Sequence, residues 1–590
     1  MNKFKKLFII LIVLLSACND DFLEVAPLDR YSDAAVWQDP ALIQAFVNNI
    51  YYGQKTEFTT VMISSICDES MDVWWWETQP VVKSEISSSY LGILAPDHWN
   101  ISMRNLAWNN LYDNIRACNV FMKNIGESGL SGDAVDQLTG EVYFLRAYYY
   151  HILMSFFGGV PLIDKAYGPG DDFLATRSTF EQTIDFIVKD CDAAANLLVT
   201  EGDKARATKG AALTLKSKVL LYAASDLFNS NGSWTSGYTK PELISYNGGD
   251  RSARWRSAKD AAKAVIDMNI YNLYGGTSPS SPEEAKNNYI NLFLNNGNDE
   301  DILLFYWDNV NDPSWETPNP GLYNGPNGYH NWGGNTPLGQ LVDSYEMADG
   351  TKFSWDNPQH KAAPYENRDP RFYASILYDG SKWRQRPDDV IASDPAGILQ
   401  CGYYEKADGS LAPGLDTRQG PIEDWNGSYT GYYLRKFIDP SINHQYEKQK
   451  LPWRQMRYAE VLLNYAEACI ELGEDNEAKK YLNMIRVRAG MPEIPAGESG
   501  DALMERCRNE RRVELAYEQH RYFDIRRWMI APNVIKNAQG VKIIHKLDGT
   551  TNYSVIEVQD RGWNNNKSYF LPILLDELNR NKNLIQNPGY

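Results

Sequence analysis

The chain has 590 residues, 43% of them hydrophobic, and a formal net charge of -18 at pH 7. A chain of this length buries a large core without covalent staples, so its seven cysteines do not indicate a disulfide framework. The acidic balance and the lack of a basic stripe disfavour nucleic acid as a partner.

The first residues have the pattern of an export signal. Three lysines precede an apolar run from Leu7 to Leu15, which is too short to cross a bilayer permanently. The run ends in Leu-Ser-Ala followed by Cys18, which resembles a lipobox, and the acidic pair after it resembles a signal for the outer face of the outer membrane. We therefore predict a signal peptide at residues 1–17 and a lipid on Cys18 that anchors the chain to the membrane. The alternative is an ordinary secretory signal with a chance cysteine.

The stretch MDVWWWETQP, from Met71 to Pro80, places three tryptophans side by side. Successive side chains turn by about 100° on a helix and about 180° on a strand, so no regular element can face all three indoles inward. The sequence predicts that one indole anchors this segment and that one or more of the others faces a ligand.

Helical periodicity is strong in a first block. Apolar residues recur every three or four positions from Leu138 to Phe156, and Ser178 with Glu181 fits a capping box that begins the next helix. The same spacing predicts further helices over about 208–228 and about 252–267. Short turns between successive helices are typical of antiparallel hairpins.

A second helical block lies near the end of the chain. Helices are predicted over about 457–472 and 476–489, each ending at a glycine. A pair of helices rich in charged residues is predicted at about 501–529. Small residues and Leu-Gly steps in this block resemble tetratricopeptide repeats. The charge spacing predicts that Glu510, Arg511 and Glu514 pair along one helix, and that Asp524 or Arg527 pairs with a neighbouring helix.

Between the blocks, about 270–451 is rich in Gly, Pro, Asn, Asp, Trp and Tyr and has only short apolar runs. We predict a loop-rich subdomain that packs on the helical scaffold. Within it, the segment SWETPNPGLYNGPNGYHNWGGN separates Trp315, Tyr323, Tyr329 and Trp332 by turn formers. The alternative interpretation is that these rings are internal and hold the long loop together.

Motifs for catalysis or metal binding are weak. No two of the seven histidines have ligand spacing on a helix, and the acidic stretch from Asp308 to Glu316 lacks the pattern of a calcium loop. No G-x-S-x-G elbow is present. Glycoside hydrolysis stays open as an alternative, because it needs only two suitably spaced carboxylates.

Several characteristic stretches follow one another along nearly the whole chain. They include the lipobox with DDFLEVAP, LYDNIRACNVFMKNI, GEVYFLRAYYYHILMSFFGGVPLI, MRYAEVLLNYAEACIELGEDNEAKKYLNMIRVRAG, NERRVELAYEQHRYFDIRRW and YFLPILLDELNRNKNLIQNPGY. In this order they resemble the SusD/RagB family of outer-membrane nutrient-binding lipoproteins. The chain departs from the family's pattern at Gln519, where glycine is usual, and at Leu574, where a second proline is usual. Both departures concern local backbone geometry.

The resemblance implies a mainly α fold, in which tetratricopeptide-like helix pairs form an α-superhelix that supports a large loop-rich half. It also implies a SusC-like TonB-dependent barrel as partner, and a ligand that is a glycan in most characterised relatives. No catalysis and no cofactor are implied. A peptide-binding lipoprotein remains an alternative, since some members handle peptides or other nutrients. A mainly structural lid is a further alternative.

A sugar site combines an aromatic platform with planar polar groups, because a pyranose has a face of C–H groups and a rim of hydroxyls. The predicted ligand-binding residues are Asp68, Trp74, Trp75, Trp76, Trp315, Tyr323 and Trp332. The predicted regions are 1–17 as signal peptide, 18–270 as the N-terminal helical region, 271–451 as the loop-rich subdomain and 452–590 as the C-terminal repeats and tail, the folded regions forming one globular unit.

Overall fold

The computed structural model describes residues 36–168, 170–171, 173–276, 278–306 and 317–590. The predicted lipid site Cys18, the predicted ring Trp315 and the acidic stretch from Asp308 to Glu316 lie outside these residues. Helices dominate the described part, as the sequence predicts. None of these helices combines the length and the apolar character needed to cross a membrane.

The first helical block extends to Asp267. Its helices are α1 (Pro40–Tyr52), α2 (Gln79–Val82), α3 (Ile101–Arg104), α4 (Trp108–Asn124), α5 (Asp133–Phe157), α6 (Phe180–Leu197), α7 (Lys209–Ala224) and α8 (Arg251–Asp267). The predicted capping box is displaced by one residue, because Thr179, and not Ser178, caps α6 and exchanges hydrogen bonds with Gln182. The predicted helix over 208–228 ends earlier, at Ala224, and a short 3-10 turn follows it.

The second helical block follows the loop-rich region. Its helices are α14 (Tyr458–Glu471), α15 (Asp475–Arg488), α16 (Gly500–Glu514), α17 (Arg521–Arg527), α18 (Ala531–Val534) and α19 (Leu575–Arg580). Gly473 and Gly490, just after α14 and α15, have φ of 75° and 76°. Glycine adopts this left-handed conformation without the steric cost of a Cβ, which explains both helix ends.

The two blocks form one continuous layer of helices. Along it, α5 packs between α4 and α6, α6 packs on α7, and α7 packs on α8. Helix α8 then packs on α14, which in turn contacts α15 and α16. One apolar core accordingly includes Leu145 and Val219 from the first block together with Leu462 and Ile485 from the second.

The loop-rich region contains short elements. Its helices are α9 (Pro282–Leu294), α10 (Pro320–Asn324), α11 (Gly339–Val342), α12 (Pro358–Ala362) and α13 (Pro370–Ser375). The prediction of loops with short apolar runs missed α9, which begins at a capping Ser281 with a proline and two glutamates in its first turn. An aromatic core holds the region together: Tyr289, Phe293, Phe372, Phe437 and Trp453.

Ten strands form small sheets. They are β1 (Ser70–Asp72), β2 (Asp301–Tyr306), β3 (Asn335–Pro337), β4 (Ile376–Leu377), β5 (Tyr403–Glu405), β6 (Leu411–Pro413), β7 (Tyr433–Leu434), β8 (Pro452–Arg457), β9 (Ala538–His545) and β10 (Thr551–Gln559) within the described residues. The pairs β1–β3, β2–β8 and β4–β7 are antiparallel, and a four-stranded sheet has the order β10-β9-β5-β6. Strand β2 follows α9 near the start of the loop-rich region and β8 follows its end, so the part of the region after α9 begins and ends at adjacent strands.

A buried ion-pair network joins the second block to the loop-rich region. Glu514 accepts from Arg457 at 2.7 Å and from Arg371 at 2.9 Å, and it also pairs with Arg488. All four side chains are at most 2% exposed. Burial alone would raise the pKa of Glu514, but the three arginines outweigh it and hold the pKa well below its usual value. We call this set, with Glu300, Glu510, Glu518 and Arg486, the ionic junction.

The ionic junction corrects one prediction from the charge pattern. Glu510 and Glu514 do not pair with Arg511 along α16, because Glu510 faces Arg371 and Arg486 instead. Arg511 contacts Asp524 of α17 at 2.8 Å, which confirms the predicted pairing between neighbouring helices. Arg527 pairs across in the same way, with Glu467 of α14 at 2.7 Å.

The cysteines of the described residues are unpaired and buried. Cys118 and Cys191 lie in the apolar core, as their helical spacing predicts, and Cys67, Cys401 and Cys507 are also enclosed. Burial raises the pKa of each of these thiols, so they are inert small hydrophobes at neutral pH.

Candidate functional site

A short tight segment carries the three tryptophans. We call residues 73–78 the tryptophan loop; it follows β1, which pairs with β3 so that Asp72 lies opposite Asn335. The Asp72 carboxylate accepts from the Trp74 amide at 3.1 Å, and the Trp76 amide donates to the Trp74 carbonyl at 2.7 Å. The Gln79 amide then donates to the Trp75 carbonyl at 2.8 Å as α2 begins. Backbone bonds within and around the loop therefore fix the direction of each indole.

Trp74 points inward and anchors the loop. Its ring meets Trp332 edge-on with centroids 5.7 Å apart, and Trp332 meets Tyr323 at 5.3 Å. Tyr323 is only 2% exposed, and its hydroxyl donates to the Thr317 carbonyl at 3.2 Å. We call these three rings the ring row. It connects the first helical region to the loop-rich subdomain through aromatic contacts, which stabilise both partners beyond simple burial.

Trp75 faces the opposite side of the loop and is 39% exposed. It lines an open cleft of about 460 Å³ together with Lys83, Tyr429 and Asp560. The guanidinium of Arg418 lies 4.3 Å from the centre of the Tyr429 ring and supports it from behind. This cleft thus combines one exposed indole with a cation and a carboxylate.

Trp76 is 61% exposed, and the next residue, Glu77, lines a larger groove. The groove has a volume of about 800 Å³, and its lining includes Tyr90 and Trp99, which are 55% and 49% exposed. The indole N–H of Trp99 donates to Glu77 at 3.0 Å, and the His98 Nε2 lies 3.1 Å from the same carboxylate. Glu77 therefore holds the Trp99 ring in place while its flat face remains open to solvent. We call this the Trp99 groove.

The orientation of the indoles agrees with the argument from the sequence, since one ring is inward and two are exposed. Two of the predicted ligand-binding side chains are nevertheless closed off from solvent. Asp68 is 3% exposed, because Arg521 binds it through two bonds of 2.8 Å and Arg512 lies 3.1 Å away. Tyr323 is enclosed in the ring row, so it supports Trp332 and does not face the surface.

The exposed rings that the sequence did not predict include Tyr90, Trp99 and Trp425. Trp425 is 60% exposed, and the amide of nearby Gly427 donates to the Trp332 carbonyl at 3.2 Å, which places this turn beside the ring row. A signal was present, since Trp99 follows Pro-Asp-His and Trp425 stands in Glu-Asp-Trp-Asn-Gly. Such turn-forming surroundings cannot bury a large ring on a regular element.

Buried carboxyls lie under the tryptophan loop. Burial raises the pKa of Asp72 to about 7 and those of Glu57 and Glu69 to about 8. Glu57 accepts from the Gln519 side chain at 2.9 Å, and Gln519 itself has φ of 65°. A left-handed residue here explains why glycine is usual at this position in the family that the sequence resembles. Burial therefore favours the neutral form of Glu57 and Glu69, although Arg521 and Arg512 lower the pKa of Glu69 in part.

The arrangement of rings and polar groups can bind a ligand. Exposed indoles present flat apolar faces, and the carboxylates and cations beside them present hydrogen-bonding edges, which suits a ring with hydroxyl groups. In the Trp99 groove, Glu77 is occupied in holding Trp99. Across the described residues, no three His, Cys, Asp or Glu side chains converge as metal ligands.

This geometry defines a class of protein in which a scaffold of helical repeats carries an exposed aromatic surface on its loops. The family model described as the SusD family matches residues 292–590, and one described as starch-binding, associating with the outer membrane, matches residues 21–221. The chain belongs to the SusD family, as the motifs along its sequence predict.

Relatives cover almost the whole chain. A SusD-like protein from Bacteroides fragilis has a solved structure with a TM-score of 0.75 and 28% identity, covering 96% of this chain and 100% of that one. A SusD-like protein called P38 from Formosa agariphila is 23% identical and covers 94% of this chain and 96% of its own. A solved structure described as a laminarin-binding SusD-like protein has a TM-score of 0.60 at 20% identity, covering 94% of this chain and 100% of that one. The mainly α, repeat-like fold is therefore confirmed.

Proposed function

We propose that the protein is a non-catalytic lipoprotein of the cell surface that captures an oligomeric glycan and delivers it to a SusC-like TonB-dependent transporter in the outer membrane. Family membership supports the class of ligand and the association with the outer membrane. The relative described as laminarin-binding supports a glycan as the ligand. The lipid on Cys18 is the proposed anchor, and several acyl chains on one cysteine suffice for stable attachment.

The observation that carries the proposal is the exposure of Tyr90 and Trp99 in an open groove of about 800 Å³, with the exposed Trp76 next to the groove residue Glu77 in the chain. Exposed apolar side chains that cluster in one groove mark an interaction site, whereas single exposed rings do not. Glu77 keeps Trp99 in one orientation, so the Trp99 side chain loses little further conformational freedom when a ligand stacks on it. Trp75 and Trp332 extend the proposed surface on the other sides of the tryptophan loop.

A glycan fits this surface better than a peptide does. The Trp99 groove presents the flat rings of Tyr90 and Trp99 beside carboxylates such as Asp97, which matches the face and the hydroxyl rim of a sugar ring. Each stacked ring contributes roughly 1 kcal/mol, so two or three rings with a few hydrogen bonds give capture in the micromolar to millimolar range. Weak capture allows the ligand to be passed on.

The test is a panel of polysaccharides and peptides, measured by affinity electrophoresis and calorimetry on a soluble form beginning at Asn19. We expect retardation by at least one neutral polysaccharide and no release of reducing ends after long incubation. Binding of peptides alone would refute the glycan assignment and leave a transport role intact. Product formation that a single carboxylate substitution abolishes would establish the glycosidase alternative instead.

A further inference from the structure

The loop-rich subdomain contains a separate cavity of about 610 Å³ that the tryptophan loop does not line. Three loops meet there, and the residues that matter are His330, Arg384, Asp389, Asn443, Gln445 and Tyr446. The lining is mostly polar. Tyr446 stands at the mouth and is 78% exposed, which makes it the most exposed large hydrophobic side chain of the described residues.

The floor of this cavity is rigid. The ring of Tyr329 is 1% exposed, and the guanidinium carbon of Arg386 lies 4.3 Å from its centre. Arg386 is itself fixed by Asp394 at 2.8 Å and by Asp416 at 2.7 Å, so its charge is neutralised below the surface. These contacts pre-organise the floor of the cavity.

The walls hold polar groups in fixed positions. Arg384 donates to the Ile442 carbonyl, and its own carbonyl accepts from the Tyr329 hydroxyl at 2.9 Å. His330 has a left-handed backbone, with φ of 58°, and its Nε2 lies 3.0 Å from Asp389. The Tyr446 amide donates to the Asn443 carbonyl at 3.0 Å, which fixes the backbone that carries the exposed ring.

From this geometry we infer that the cavity is a second saccharide-binding site, with Tyr446 as its stacking platform and Asn443, Gln445 and Arg384 as partners for hydroxyl groups. Planar amide and guanidinium groups beside an aromatic face match the rim and the face of a sugar ring. The charge of Arg384 is opposed by the carboxylates of Asp388 and Asp389. The cavity therefore has no net positive charge to attract a sulfated or uronic chain. Its ligand is a neutral glycan.

The second site lies close to the ring row that anchors the tryptophan loop. His330 lines the cavity, while Trp332, two residues further along, packs on Trp74. Two residues span at most about 7 Å, so the backbone of His330 at the cavity lies near that of Trp332 in the ring row. One glycan chain held at both sites gains avidity, because its second contact forms at a high effective concentration. This inference rests on the proposed function, since it assigns the same class of ligand.

The test is calorimetry on the soluble form, with laminarin, amylopectin, short oligosaccharides of each, and dextran sulfate as the anionic probe. We expect a neutral oligosaccharide to bind at two sites per chain in the wild type and at one site in Tyr446→Ala. The affinity for the polymer is expected to fall about tenfold in Tyr446→Ala, because avidity is lost. Tyr446→Phe keeps the ring and is expected to behave as the wild type.

Tyr52→Ala on α1 is the matched control, because Tyr52 is also an exposed tyrosine, at 50%. One binding site per chain in the wild type, with unchanged affinity in Tyr446→Ala, overturns the inference while the proposed function stands. Absence of binding to every neutral probe refutes both. Binding of dextran sulfate that Tyr446→Ala removes would overturn the assignment to neutral glycans.

Discussion

The ionic junction and the tryptophan loop reverse the usual distribution of residues. In the junction, Glu514 and its arginine partners are at most 2% exposed, whereas Trp75 and Trp76 in the loop are 39% and 61% exposed. Charges are tolerated inside because each has partners of opposite sign. The rings remain outside because the backbone of a short loop holds them there. The difference shows that the junction carries the architecture, while the loop is free to carry recognition.

The largest expected effect comes from breaking the junction. Glu514→Gln leaves three buried arginines short of one negative charge, which is expected to destabilise the fold by about 3–5 kcal/mol. The measurement is the midpoint of thermal or urea unfolding. Glu505→Gln is the control on the same helix, because Glu505 is exposed and its pairing with Arg508 contributes little. Equal stability of the two variants would mean that the junction does not hold the regions together.

An intermediate effect is expected at the ring row, because these rings both support the fold and anchor the proposed binding surface. Trp332→Ala removes a half-buried ring from between Trp74 and Tyr323 and is expected to cost about 2 kcal/mol of stability. It is also expected to weaken glycan binding, because the tryptophan loop loses its anchor. Trp425→Ala, which removes an exposed ring close by, is the control for stability. A Trp332→Ala variant with wild-type stability would contradict the anchoring role.

The exposed rings are expected to affect binding alone. Trp76→Ala and Trp99→Ala should each weaken affinity about fivefold, from a loss of about 1 kcal/mol, and the double variant about thirtyfold. The unfolding midpoint is expected to stay within error of the wild type, because both rings are about half exposed or more. Titration calorimetry with the best polysaccharide of the panel measures the affinity, and scanning calorimetry measures the unfolding midpoint. Unchanged affinity in the double variant would exclude the Trp99 groove as the binding surface.

The smallest expected effect is on the pH dependence of stability, which differs between the ionic junction and the buried carboxyls near the tryptophan loop. Burial raises the pKa of Glu57 and of Glu69 to about 8, so their contribution to stability is complete below their unfolded pKa and is lost as pH rises through about 8. Glu514 has a lowered pKa, so its contribution is lost only in acid. From pH 7 to 8 we expect stability to fall by about 1 kcal/mol per raised group.

The variant Glu57→Gln tests the sign of this dependence. Between pH 7 and 8 its unfolding midpoint should fall less steeply than that of the wild type, because one ionisation has been removed. Glu505→Gln should follow the wild-type slope. If Glu57→Gln and the wild type have the same slope, Glu57 is already ionised in the folded chain.

The helical blocks could be predicted because their signal is local. Apolar spacing and terminal glycines placed α5, α8, α14 and α15 within a few residues of their observed bounds. The partners of the charged helices could not be predicted, since Arg371 and Glu300 come from distant segments. A charge pattern on one helix does not reveal whether that helix is buried. The family resemblance supplied the remaining architecture.

The site was only partly predictable for the same reason. Three consecutive indoles required at least one to turn away from the others, and Trp74 does. Which ring it meets depends on the pairing of β1 with β3, which no local pattern specifies. Trp99 was missed because a single ring in a turn has no periodicity, and Asp68 was wrongly included because its arginine partners lie near the other end of the chain.

The adjacency of β2 and β8 has a consequence for how such a protein can diversify. The chain leaves the helical layer along Asp301–Tyr306 and returns beside it along Pro452–Arg457, with Phe305 paired to Trp453. A segment whose two ends are hydrogen-bonded neighbours can be replaced by another of different length without separating the helices on either side. Exchanging everything between these two strands is thus a route to new ligand preferences on an unchanged frame, in evolution and in engineered chimaeras alike.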